Sequence, residues 1–288
     1  MTAITSVIKN LIHHPHGEEW VLLMSLAKNI RNYYKKKRIS PTNFKCAHKI
    51  ECSKKCRKFE EAREPYIGPA YERGLYPRIL FVSLDVPRPK GRKRLKPKER
   101  TVAAQQDFAQ GYIPSNDRHK NRHWYQTHEM VLALLKPCGN TLGVDDVKPY
   151  FAHTNAVKCS AGNEKGSQAH KRLFNNCREY IGGELKVLRP DILVTQGELA
   201  FRAVQHAVDT HEISSLRDVS WAGPWQRNSH KRAYGVLQIS GKSVLWLVTF
   251  HPQARQGVFF KQKAHSWTYW STIVKHHWPA RGKRPHQN

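Results

Sequence analysis

The sequence predicts an α/β protein whose parallel or mixed sheet carries helices on its faces, and three observations support this. Four short apolar runs read as buried strands: RILFVSLDV (78–86), PYFAHTNAV (149–157), DILVTQG (191–197) and VLWLVTFHP (244–252). Stretches with helical spacing fall between them, and strand–helix alternation is the mark of crossover connections. The third is size, since 288 residues can bury a substantial core.

The elements follow in chain order. EEWVLLMSLAKNIRNYY (18–34) sets Trp20, Leu23, Ala27 and Ile30 on one helical face behind a pair of acids, and KKKR (35–38) ends it. KCAHKIECSKKC (45–56) is too short and polar to be a domain. The first strand then runs into a Pro-, Lys- and Arg-rich segment, 88–122, expected to be a long polar loop. HEMVLALLK (128–136) reads as a helix before the second strand. AHKRLFNNCREYIGGELKVL (169–188) reads as a helix interrupted or ended near Gly182 and Gly183. The third strand leads into a helix from Glu198 to about Ala207, and the tail ARGKRPHQN is expected to be disordered. Three regions result: a basic helical extension (1–44), a main domain (45–278) holding the Cys-rich segment and the basic insertion, and a basic tail (279–288).

Charge indicates the partner. Lys and Arg number 49 against 22 Asp and Glu, a net charge of +27 with His neutral. Such an excess repels itself in a compact chain, and a polyanion relieves the repulsion. Nucleic acid is the first expectation and an anionic membrane surface the second. No apolar run approaches the roughly 20 residues that span a bilayer, and the first residues lack a signal-peptide core. The expectation is a soluble, cytoplasmic, monomeric protein working at the nucleoid. Six Cys in such a chain suggest metal ligation or free thiols rather than disulfides.

In open α/β sheets ligands bind beyond the carboxyl ends of the strands. Three expected strands end there in polar residues: Asp85, Asn155 and His251. A carboxylate, an amide able to pair with a base edge and an imidazole able to meet an oxyanion make a chemical set. Taken singly, each has a plainer reading: Asp85 as a turn cap, Asn155 as a partner for strand-end backbone, His251 as a structural ring.

VSLDVP, TNAVKC with Cys177 eighteen positions on, RPDILVTQG and FHP occur in the order and spacing of the uracil-DNA glycosylase superfamily. The chain resembles that superfamily over roughly residues 50–275, most closely its iron–sulfur branch. The resemblance implies a three-layer α/β/α sandwich with a central, mostly parallel sheet, which flips a nucleotide out of DNA and hydrolyses its N-glycosidic bond to leave an abasic site. Asp85 would orient water and stabilise the sugar cation, and His251 would stabilise charge on the departing base. Asn155 would read the base edge, with Ser83 and Pro87 beside it and Trp124 or Tyr125 stacking on the base. Arg88, Lys90, Lys261 and Lys263 would hold phosphates, and Arg255 would fill the space the base leaves. A 4Fe–4S cluster would sit on Cys52, Cys56, Cys159 and Cys177, with Cys46 as an alternative ligand and zinc as an alternative metal. Cys138 is expected to be buried and inert.

Uracil-specific members keep a bulky or acidic side chain against C5 of the pyrimidine. Here the corresponding VPRPKGRK has neither. That leaves two substrates: uracil, or a hydroxymethylated or glucosylated cytosine of phage DNA, the latter implying an antiviral role. A catalytically silent DNA-binding or damage-sensing protein on the same fold is the other class. A nuclease lacks support, because no clustered carboxylates are present to hold catalytic magnesium.

Overall fold

A computed structural model describes residues 25–54, 56, 59–84, 95–117, 122–160, 171–221, 233–252 and 260–277. Seven strands form one sheet: β1 Tyr66–Ile67, β2 Ile79–Ser83, β3 Phe151–Asn155, β4 Ile192–Gln196, β5 Ser214–Arg217, β6 Tyr234–Ile239 and β7 Lys242–Thr249. Their spatial order is β1-β3-β2-β4-β7-β6-β5. The inner four, β3, β2, β4 and β7, are parallel, and the outer three pair antiparallel. The inner four are the strands expected from sequence; β1, β5 and β6 were not. β6 and β7 form a hairpin across Ser240 and Gly241, whose φ values of 50° and 78° suit a two-residue turn matching strand twist.

The nine α-helices among the described residues are α1 Leu26–Lys36, α2 Lys49–Lys54, α3 Pro69–Arg73, α4 Val102–Gln110, α5 Arg122–Leu135, α6 Lys171–Cys177, α7 Ile181–Leu188, α8 Glu198–Asp209 and α9 Thr268–His277. Every residue of β2 and β4 is buried, because helices cover both faces of the sheet. Strand alternation then divides the core in two. Leu80, Val82, Ala152, Leu193 and Trp246 pack toward α1, α7 and α8. Ile79, Phe81, Phe151, Ile192, Val194 and Leu247 pack toward α5 and α9. The chain is the three-layer α/β/α sandwich expected.

Three local readings need correction. Helix α1 begins later and ends later than expected: Ser25 caps it by accepting from the Lys28 N–H at 3.2 Å, and Lys35 and Lys36 lie in its last turn, where cations suit the helix dipole. Arg38, with φ 59°, follows the end, and Leu26, Ile30 and Tyr34 build the helix into the core. The start expected from residue 18 lies outside the described residues. The insertion is no uninterrupted loop, because α4 forms within it, capped by Thr101 at one end and Gly111 at the other. Gly182 and Gly183 do not break their helix, since the interruption precedes them at Arg178–Tyr180 and both lie in the first turn of α7. They permit close approach: a Cβ on Gly183 would lie 2.5 Å from the Tyr33 ring.

One buried ion pair ties the layers together behind β3. Lys158 Nζ meets Glu184 Oε2 at 2.6 Å, with the two side chains 1% and 0% exposed. Lys158 also donates to Thr154 Oγ1 and the Asn155 carbonyl, while Glu184 accepts from Thr154 at 2.8 Å and from the Tyr34 hydroxyl at 2.5 Å. Glu184→Ala would strand the lysine charge in the core, so a loss of about 3 to 5 kcal/mol is expected in urea unfolding. The double replacement Lys158→Met with Glu184→Leu is expected to cost far less, because no buried charge is left alone.

Candidate active site

The strand order marks a switch point. β2 is followed in the chain by β3 on one side of it and later flanked by β4 on the other, so the crossovers diverge at its carboxyl end. Register brings the polar tips together: Ser83 pairs with Asn155 on β3, and Gln196 pairs with Thr249 on β7. Ser83, His153, Asn155 and Gln196 share the alternation of residues facing α5, and His251 follows β7 in the same phase. The first turn of α5 delivers His123 to this face.

Here a hydrogen-bond network fixes its own proton positions. The Thr127 hydroxyl donates to the His123 carbonyl at 2.9 Å, so its oxygen accepts from the Gln196 amide nitrogen, also at 2.9 Å. Gln196 Oε1 therefore turns inward and accepts from the Ser83 hydroxyl at 2.7 Å. With that hydroxyl proton committed, His153 Nε2, 2.8 Å from Ser83 Oγ, must be the donor. His123 Nε2 lies 2.9 Å from Gln196 Oε1, an oxygen that only accepts, so it too carries hydrogen. Both rings are thus held as the Nε2–H form.

His251 lies beside this network. Its ring is parallel to that of His123, with centroids 4.9 Å apart and planes 5° from each other. Behind it lies Gly197, whose φ of 99° favours glycine and whose missing Cβ would sit 3.3 Å from His251 Cβ. Burial holds the His251 imidazole at about 4, below its usual 6.5. Burial and the neighbouring His251 bring His123 to about 3, against the opposing Gln196 hydrogen bond, and burial pushes His153 well down. All three rings are neutral at neutral pH.

Asn155 is 9% exposed, and its Oδ1 is buried without a hydrogen-bond partner among the described residues. A buried acceptor left empty is costly, and such groups mark ligand-binding positions. Ser83 is buried within the network. Trp124 meets His153, Phe151 and His128 edge to face, in the aromatic packing beneath the site, and Tyr125 follows it half-buried on α5. The ring brought alongside His251 is instead that of His123, one position earlier. His123, His153 and Gln196 were not anticipated; strand alternation extended from Ser83 and Asn155 would have pointed to the last two. Lys263 pairs with Glu129 at 2.6 Å and lies over the Trp267 ring, whereas Lys261 is exposed. Asp85, Pro87, Arg88, Lys90 and Arg255 lie outside the described residues.

Five of the thiols gather on the opposite face of the sheet. Cys52, Cys56, Cys159 and Cys177 are buried there, with Cys46 half-buried against the Tyr180 hydroxyl at 3.7 Å, while Cys138 lies in the other core. All six are free. The Cys159 thiol donates to Cys177; this bond lowers Cys177 and raises Cys159. Cys177 raises Cys46 and Cys52, Cys46 and Cys52 raise Cys159, and Cys52 raises Cys56, each on top of burial. Asn176 donates to Cys52 Sγ at 3.4 Å. Among the described residues no three His, Cys, Asp or Glu are arranged to hold a metal ion, yet the donors fit a four-thiolate group in number and kind.

Such a sheet, covered by helices on both faces and carrying buried polar side chains at its carboxyl edge, defines an α/β protein of the open-sheet class. Residues 111–273 match the uracil DNA glycosylase superfamily, and the chain belongs to that superfamily. Its members are DNA glycosylases, which act on DNA. No curated protein matches the chain. No helix among the described residues is long and apolar enough to cross a membrane.

The neutral histidines set an acid limit. Between pH 6.5 and about 4 the unfolded chain takes up a proton at position 251 that the folded chain refuses, so stability is lost as pH falls through that window. At pH 5 this one group is expected to withdraw about 2 kcal/mol. Urea unfolding at pH 7 and pH 5 checks it: His251→Asn should shrink the loss between the two by about that amount.

Proposed function

We propose that this chain is a monofunctional DNA glycosylase, which takes a flipped pyrimidine into this site and hydrolyses its N-glycosidic bond. The observation that carries this reading is the empty, buried Asn155 Oδ1 at the same edge and on the same face of the sheet as the neutral His251. An amide pairs with either pyrimidine: its oxygen accepts from N3–H of uracil or from the amino group of cytosine, and its nitrogen donates to the other position. As the bond breaks, the base leaves as an anion and the sugar gains positive charge. A neutral imidazole at His251 supplies a donor to the base oxygen, and Asp85 is assigned the carboxylate that steadies the sugar and orients water. Phosphate contacts fall to the Lys and Arg excess, including Lys261, Arg88 and Lys90, with Arg255 entering the vacated stack.

On substrate, VPRPKGRK offers no bulky or acidic guard for C5, which favours a 5-hydroxymethylated or glucosylated cytosine over plain uracil. Excising such a base from phage DNA leaves abasic sites that block replication, an antiviral activity. On the cofactor, Cys52, Cys159 and Cys177 are assigned to a 4Fe–4S cluster. Cys56 is assigned as the fourth ligand, with Cys46 as the alternative. The cluster's contribution would be structural, fastening the segment after Asn155 to α2 and α6.

Oligonucleotides carrying uracil, hydroxymethylcytosine or glucosylated hydroxymethylcytosine, incubated with the protein and treated with alkali, test the activity. Cleavage at the modified cytosines is expected; cleavage confined to uracil defeats the substrate assignment, and none at all favours a silent binder. His251→Ala is expected to lower kcat by about 10²- to 10³-fold while DNA affinity persists. Iron and acid-labile sulfide are expected in protein purified without oxygen; zinc in their place revises the cofactor.

A further inference from the structure

Gln196 has no counterpart among the groups that perform the reaction, yet it is the hub of the site. Its side chain is 2% exposed and satisfies Thr127, Ser83 and His123 at once. Each bond has a direction set by the next, so only one amide orientation and one His123 tautomer agree with all of them. The consequence falls on His251. His251 is confined at its Cβ by Gly197, where an added Cβ would lie 3.3 Å away, and at its ring by the parallel face of His123. Gln196 therefore reaches His251 twice, through its bond to His123 and through the chain, where it immediately precedes Gly197, whose N–H donates to the Thr249 carbonyl at 2.8 Å.

We propose that Gln196 is a positioning residue, which locks His123 against His251 so that the catalytic imidazole meets the base in a single orientation. His123 is thus the near wall of the base pocket rather than a proton carrier, because its Nε2–H is already spent on Gln196. This rests on the glycosylase reading only for the role of His251; the lock itself is independent of it.

Two measurements test the proposal. Long-range proton–nitrogen correlation NMR of the intact protein should show His123 and His153 each as the single Nε2–H tautomer. In Gln196→Leu the His123 signal should become tautomer-averaged, and that of His251 should shift or broaden. A wild-type His123 in the Nδ1–H form or as a mixture overturns the lock, whether or not the protein cleaves DNA. For the second, kcat and KM are measured on whichever of the three oligonucleotides the wild type cleaves. Gln196→Leu is expected to lower kcat about 10- to 100-fold with KM nearly unchanged, the mark of a misplaced group. Adding His123→Phe should recover a large part of that loss, since a phenyl ring keeps the parallel face and needs no acceptor. A double variant no faster than Gln196→Leu overturns the proposal. If the wild type cleaves none of the three, the glycosylase reading fails and the NMR result alone decides the lock.

Discussion

The Lys158–Glu184 pair governs how the chain leaves β3. Removing two charges from water costs more than their attraction returns unless further hydrogen bonds complete them. Here Thr154, Tyr34 and the Asn155 carbonyl supply those bonds, so the pair is satisfied in only one arrangement. What it provides is direction more than stability. With the Asn155 carbonyl held from behind, the Asn155 side chain must project to the α5 face, and the chain must continue toward Cys159.

From that fixed point the two halves of the site can be related. Ser83 stands opposite Asn155 in the register, Gln196 stands at the tip of β4 on the other side of β2, and α5 closes over them with Thr127 and His123. Polar groups this deep are usually a liability; Ser83, Thr127, His123 and Gln196 are committed to one another, and the Asn155 oxygen is left without a partner among the described residues. A network complete but for one acceptor is rigid without being closed to a ligand.

Much of this was legible in the residues. The four parallel strands were, because strands buried on both faces appear as unbroken apolar runs. So were Asn155 and His251 as strand-tip groups, and period-two alternation extends the same logic to His153 and Gln196. His123 was harder to see: it is followed directly by Trp124 and Tyr125, and only the phase of α5 against β3 decides which of these rings faces the site. β1 and β5 were hidden by their brevity, two and four residues. β6 was not hidden in principle, since Ser240–Gly241 between two apolar runs is a hairpin signal. The insertion misled because its charge suggested a loop, whereas the Thr101 and Gly111 caps marked a helix within it.

The sheet is also a partition. Five of the thiols lie on its α7 and α8 side, whereas His123, His153 and His251 lie on its α5 side, so the sheet stands between the two chemistries. A disturbance on the sulfur side reaches the Asn155 tip along the short connector from Asn155 to Cys159. Damage on that side would therefore displace the Asn155 amide first, with the proton inventory of the imidazoles left intact.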